Sequence, residues 1–167
     1  MPSVILPQGD KEMLLAEDKI EMDKDVPYRF GTPFEVQYNL DNSGIWEDVS
    51  KGRIWRLSIR SRDAYSINLL YDRFVLPEGA ELFVYDREME TVLGAFTHQN
   101  NKNHETFSTS PTKGDVTILE YFEPNEVKFH GEIQINSVVH AYRDIFFNES
   151  RGYGDSGSCN NNVNCLE

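Results

Sequence analysis

The feature that most constrains the fold of this chain is a repeated alternation of apolar and polar residues in short segments. In the first of them, FEVQYNL, Phe34, Val36 and Tyr38 alternate with polar residues. A period of two is typical of strands with one buried face. Turn residues separate this segment from others of the same kind: GRIWRLSIRS, AYSINLLYDRF, ELFVYD, TVLGAFT, VTILEYF and GEIQINSVVHAYRDIFF.

Short strands separated by turns, without a sustained helical period or βαβ alternation, indicate an all-β fold. We therefore predict an antiparallel β-sandwich that is jelly-roll-like, with Trp55 as a core anchor. The predicted parts are an extended or short-helical N-terminal arm over residues 1–31, the sandwich over 32–147 and a C-terminal tail over 148–167. With 167 residues the chain has room for one such domain.

The N-terminal arm is highly charged and weakly patterned. We expect it to be extended; a short helix over 11–22, with Met13, Leu14 and Ile20 as its apolar side, is the alternative. Its carboxylates in AEDKIEMDKD suit calcium as a ligand type, but the glycine and the ligand spacing of a calcium loop are missing. This run is therefore interpreted as solvated charge, and no metal or cofactor is predicted.

The net charge of the chain is -12, from 28 acidic and 16 basic residues. An acidic surface repels nucleic acid and anionic membranes, whereas a basic protein surface is a compatible partner. No apolar run approaches the roughly 20 residues that a membrane helix needs, so membrane insertion is not expected.

The tail contains the letters GDSG at 154–157, which surround the nucleophilic serine in chymotrypsin-like proteases. A serine needs a histidine base within hydrogen-bond reach, and none of the histidines has a recognisable catalytic context in the sequence. His98 and His104 lie in a polar loop, His130 at a turn and His140 at the end of a strand. We therefore predict that Ser156 is not a nucleophile and that this chain has no catalytic residues.

Both cysteines of the chain, Cys159 and Cys165, lie within its last nine residues. A close pair of this kind is typical of a metal half-site or of disulfide chemistry. The metal interpretation is the weaker one, because no further cysteine or histidine lies nearby to complete four ligands.

The segment GDSGSCNNNVNC resembles the start of the mature catalytic domain in secreted serine proteases of the lysyl endopeptidase group. Ser156–Cys159 and Cys165 match that start, while Leu166 stands where a proline is usual. Five upstream blocks, in order, resemble the amino-terminal region of precursors in the same group: PYRFG, IWRLSIRSRDAYSINLLYDRFVLPEGAELFVYD, GAFTHQNNK, GDVTILEYFEP and VVHAYR. The resemblance covers about residues 27–165.

This resemblance implies a non-catalytic prodomain followed by the first residues of a trypsin-fold endopeptidase. The catalytic residues would then lie downstream of this chain, and the partner would be that downstream domain. Cys159 and Cys165 would form disulfides with it. The resemblance also implies a secreted or extracytoplasmic protein whose signal peptide has been removed, since MPSVILPQGD lacks a basic start and a long apolar stretch.

Processing is expected in the segment NESRGYGD, because small and polar residues in an exposed loop favour a proteolytic cut. The basic bond Arg151–Gly152 is slightly favoured, and a cut after Tyr153, close to Gly154, is the alternative. The sequon at Asn148 has little weight, since matches of that length arise by chance.

A binding module for carbohydrate or protein, attached to a secreted enzyme, is the second functional hypothesis. It would use an aromatic platform, and the candidate side chains are Tyr65, Tyr71, Phe74, Phe83 and Tyr85. Alternation favours core or half-core positions for most of them. Of the two tryptophans, Trp46 is expected to be the more exposed.

Overall fold

The computed structural model describes residues 2–7, 9–21 and 29–146 of the chain. These residues form one α-helix and eleven strands, with a short 3-10 turn at His98–Asn100. The elements are β1 Ser3–Ile5, α1 Lys11–Glu21, β2 Gly31–Asn39, β3 Ile45–Val49, β4 Gly52–Arg60, β5 Ser66–Val75, β6 Glu81–Asp86, β7 Val92–Phe96, β8 Phe107–Ser108, β9 Thr112–Lys113, β10 Val116–Pro124 and β11 Glu132–Ala141.

The strands form two sheets. In sheet A, β1 and β3 pair with successive parts of one edge of β4, and β10, β6 and β7 follow in that order on its other side. In sheet B the order is β2, β11 and β5, with β8 and β9 sharing the far edge of β5. Every pairing is antiparallel except that of β1 with β4, which is parallel.

The connectivity is that of a jelly roll, which confirms the predicted fold class. The first half of the sandwich, β2 to β6, pairs with the second half in reverse order: β6 with β7, β5 with β8 and β9, β4 with β10, and β2 with β11. Successive pairs alternate between the sheets, so one long folded hairpin wraps around a single core.

The core lies between the sheets and follows the alternation in the sequence. Trp55, Leu57 and Ile59 on β4 are completely buried against Ile67 and Leu69 on β5. Two layers of inward-facing side chains are the usual way for a sandwich to bury its apolar surface.

The arm is helical from Lys11 to Glu21, which confirms the short-helical alternative and shows that the favoured extended conformation is wrong for this segment. The Asp10 side chain accepts a hydrogen bond from the Met13 backbone N–H at 3.0 Å and caps the helix start. The proposed apolar side is also wrong in part. Leu14 is buried, but Met13 and Ile20 are exposed, because Asp18, one turn after Leu14, contacts the sandwich instead.

The beginning of the arm is part of the sandwich itself. Strand β1 extends sheet A, with Ser3–Ile5 in parallel register with Ser58–Arg60. Leu6 follows it into the core and is 4% exposed.

Candidate functional site

The residues that the sequence assigned to processing and to disulfides lie outside the described part of the chain. They are Arg151, Gly152, Tyr153, Gly154, Cys159 and Cys165. The same holds for Ser156 and for the sequon at Asn148. The processing bond and the disulfides therefore remain predictions.

A cavity of about 530 Å³ opens at the end of the sandwich where β2 and β5 finish and β11 begins. Its large side chains are Trp46, Arg53, Arg73, His130 and Glu132. The Arg53 guanidinium lies 4.0 Å from the centroid of the Trp46 ring, so one face of that ring is already covered by a cation.

Behind this cavity lies a buried carboxylate, Glu123, which is 1% exposed. Its Oε1 accepts hydrogen bonds from Arg53 Nε at 2.9 Å and from His130 Nδ1 at 2.8 Å. Its Oε2 accepts from the Tyr121 hydroxyl at 2.9 Å and from the Gly131 backbone N–H at 2.7 Å. Burial by itself raises the pKa of Glu123, but these hydrogen bonds outweigh burial and hold it below the usual range.

The Glu123–His130 pair has the geometry of a carboxylate that orients an imidazole. The contact from Nδ1 leaves Nε2 free to face solvent, and the His130 side chain is 74% exposed. Such a pair needs a nucleophile to perform acyl transfer. Among the described residues that line this cavity there is no serine, threonine, cysteine or lysine. The arrangement fixes the turn between β10 and β11.

The sequence carries a signal for this buried carboxylate, although the predictions above do not include it. On β10, Thr117, Leu119, Tyr121 and Glu123 occupy the same inward-facing positions, and all four are buried. A glutamate at a core position of an alternating strand indicates a paired, buried charge. Its partners are Arg53, 70 positions away, and His130, so proximity along the chain does not reveal the network.

A serine–histidine contact lies inside the sandwich. Ser61 Oγ and His140 Nδ1 are 2.7 Å apart, and these residues are 0% and 2% exposed. Gly9 and the Phe34 ring, which packs edge-to-face with the imidazole, cover it. A substrate carbonyl has no path to Ser61 in this structure, so the contact is a satisfied core hydrogen bond. His140 lies at the end of β11, as predicted.

Helix α1 is joined to the end of the sandwich through Asp18. Its Oδ1 accepts a hydrogen bond from Arg29 Nε at 2.9 Å, and its Oδ2 accepts from the Tyr142 hydroxyl at 2.9 Å and from Arg143 at 2.8 Å. Burial alone raises the pKa of Asp18, but the bonds from Arg143, Tyr142 and Arg29 lower it further than burial raises it. We call these four residues the Asp18 clasp. It links the arm to the chain just after β11.

The candidate aromatic residues do not form one platform. Tyr71 and Phe74 are buried in the core, as alternation predicted, whereas Phe83 and Tyr85 are half-buried on β6 of the other sheet. Tyr65 is 40% exposed. Trp46 is half-buried and Trp55 fully buried, which confirms that Trp46 is the more exposed of the two.

No protein-family model matches this sequence. Within residues 2–7, 9–21 and 29–146, no three histidine, cysteine, aspartate or glutamate side chains are grouped so as to hold a metal ion. In that same part of the chain, no helix has the length and apolar character needed to cross a membrane.

Proposed function

We propose that this chain is the non-catalytic prodomain of a secreted serine endopeptidase, joined to the first residues of the mature enzyme. One observation carries the proposal. A fully packed jelly roll precedes a segment, 154–165, that resembles the start of a lysyl-endopeptidase-type catalytic domain. In this role the sandwich assists folding of the downstream domain, keeps it inactive until cleavage, or does both.

The position of the Asp18 clasp supports a cut that leaves the sandwich whole. Tyr142 and Arg143 are held by Asp18, and Arg143 lies eight residues before Arg151. The contacts that hold the end of the sandwich are therefore upstream of both candidate bonds. Cleavage at either bond would separate the two parts without removing a core strand.

The physical need for such a partner follows from topology. A trypsin-like domain is built mainly from non-local strand pairs, which form slowly and expose edges that aggregate. A folded acidic sandwich that binds this domain would shorten the time during which those edges are exposed. The net charge of -12 suits a basic partner surface.

The test is to express the complete coding sequence that contains this chain and to determine the amino terminus of the active product. We expect endopeptidase activity and a first residue between Gly152 and Ser156. Arg151→Gln should block maturation if the Arg151–Gly152 bond is cut and leave it unchanged if the cut follows Tyr153. Arg62→Gln, a change of an exposed arginine in the sandwich, is the matched control. An active product that retains residues 34–150, or a complete protein without peptidase activity, would overturn the proposal.

A binding module for carbohydrate or protein is the second candidate. It is favoured by the outer face of sheet B, where open depressions are lined by amide and carboxylate side chains. A glycan array probed with this chain separates the candidates, because specific retention on one glycan class is expected only of a carbohydrate-binding module.

A further inference from the structure

The outer face of sheet B is shaped by two β-bulges on neighbouring strands. Between β11 and β5, Ile135 pairs with Tyr71 and Ser137 with Leu70, so Asn136 has no register partner. Asp72 is likewise skipped on β5, between Arg73 and Tyr71. A bulge bends its strand and redirects a side chain, and both unpaired residues are exposed on the outer face.

Two depressions, of about 640 Å³ and 510 Å³, meet at these bulges, since Asp72 and Asn136 line both of them. The larger one extends over β2, where Glu35 and Gln37 line it. We call the surface formed by Glu35, Gln37, Asp72, Asn136 and Ser137 the sheet B groove. It crosses three strands, so it is about 10 Å wide between the β2 and β5 backbones.

The two carboxylates of the sheet B groove have no cationic partner among the described residues. The Glu35 side chain makes no hydrogen bond or ion pair there, and the Asp72 side chain accepts one bond, from Gln134 Nε2 at 3.2 Å. Arg73, which directly follows Asp72 in the sequence, is bound to Glu105 and Glu132 instead. Two unpaired carboxylates on opposite sides of one groove attract a cation that reaches both.

A second and independent observation is the Ser137 hydroxyl. Ser137 is 7% exposed and lines the same depression, yet its Oγ has no hydrogen-bond partner in the described structure. A buried hydroxyl without a partner costs free energy. The Oγ is itself covered in this structure, so a polar group seated in the groove would supply the missing bond after a rotation of the Ser137 side chain.

We propose that the sheet B groove docks an extended, basic segment of a partner polypeptide, with a lysine or arginine side chain between Glu35 and Asp72. Charge complementarity selects this occupant, because the groove is acidic and the whole chain carries a net charge of -12. Pro33 and Leu70 at its margins provide apolar contact for the aliphatic stem of such a side chain. Lys102 lines the adjoining depression and would repel a further basic side chain there. The inference stands independently of the proposed function.

The experiment measures binding of a fluorescein-labelled peptide of alternating lysine and serine by fluorescence anisotropy at low and at physiological salt. The test variant is Glu35→Gln with Asp72→Asn, which keeps side-chain shape and one acceptor oxygen on each residue while it removes both charges. The matched control is Glu81→Gln with Glu88→Gln, two exposed carboxylates on β6 and in the turn after it. Both double variants have the same net charge, so non-specific attraction is equal in the two.

We expect the groove variant to weaken peptide binding about tenfold, from the loss of two partly exposed ion pairs, and the control variant to stay within about twofold of the parent. Ser137→Ala should weaken binding further without removing any charge. Equal weakening by the two double variants would show that net charge alone drives binding and would overturn the proposal. No measurable binding would overturn it as well, as would groove-dependent binding of a neutral oligosaccharide in place of the peptide.

Discussion

Replacement of Glu123 by glutamine should be one of the most destabilising isosteric changes in this protein. Glutamine retains one acceptor oxygen and puts an NH₂ group in place of the other. In the least costly orientation the NH₂ replaces Oε2, where Tyr121 can rotate its hydroxyl to accept but the Gly131 N–H cannot. One buried backbone donor is then unsatisfied, which costs about 1–3 kcal/mol. The bonds from Arg53 and His130 become neutral-acceptor bonds, which costs about 1 kcal/mol more.

The expected loss for Glu123→Gln is therefore about 3 kcal/mol of unfolding free energy, close to the range for breaking a buried ion pair. For a domain of this size this corresponds to a fall in Tm of about 6–12 °C. Urea denaturation followed by tryptophan fluorescence measures it, because Trp46 lies in the same network. Glu132→Gln, a half-exposed partner of Arg73, is the control and should cost less than about 1 kcal/mol. Equal losses of unfolding free energy in the two variants would refute the idea that burial makes the Glu123 network more stabilising than an exposed ion pair.

Two further changes test the interior of the sandwich. Burial lowers the pKa of His140, and Asp63 opposes this shift while Lys11 adds to it. At mildly acidic pH the histidine is therefore neutral in the folded protein, and unfolding takes up a proton. The contribution of neutral His140 to the free energy of unfolding should be fully present above about pH 6.5 and should decline as the pH falls through that value towards the lower pKa of the folded state. His140→Gln should flatten this part of the pH profile. Urea titrations at several pH values measure the slope, and an unchanged slope in the variant would contradict the assignment. Gly52→Ala should cost about 3 kcal/mol, because a Cβ there would lie 2.1 Å from the Glu123 carbonyl oxygen; a thermal melt within about 2 °C of the parent would show that β4 and β10 can separate without penalty.

Much of the fold was predictable because the information is local. The alternation of apolar and polar residues in the segments that form β4 and β5 indicates strands with a buried face, and the structure buries Trp55, Leu57, Ile67 and Leu69. Period-two patterning depends only on which face of a strand avoids water, so it can be read from the sequence without knowing the order of the strands in the sheets. The same alternation puts Glu123 on the buried face of its strand. That this glutamate belongs to a buried ion pair becomes clear only when its partners in the structure are known.

The helix in the arm was not predictable with the same security. Its start is local, since Asp10 caps it, but its orientation depends on Asp18 binding Tyr142 and Arg143, more than 120 positions away. The bonds of Asp18 to Tyr142 and Arg143 decide which side of the helix faces the sandwich, and they outweigh the weak preference of Met13 for an apolar environment. Such a contact is a property of the assembled domain, so the charge run looked solvated in the sequence.

What the sequence by itself determined is which segments become strands, which side chains enter the core and hence the all-β class. What only the tertiary structure decided is how distant groups meet: the pairing of Glu123 with Arg53 and His130, the contact of Ser61 with His140, and the bulges that bring Asp72 beside Asn136. The reason is physical. Burial preference acts on each residue separately, whereas hydrogen bonds, ion pairs and strand register require two groups at a fixed distance, and folding supplies that distance only once the sheets have closed around the core.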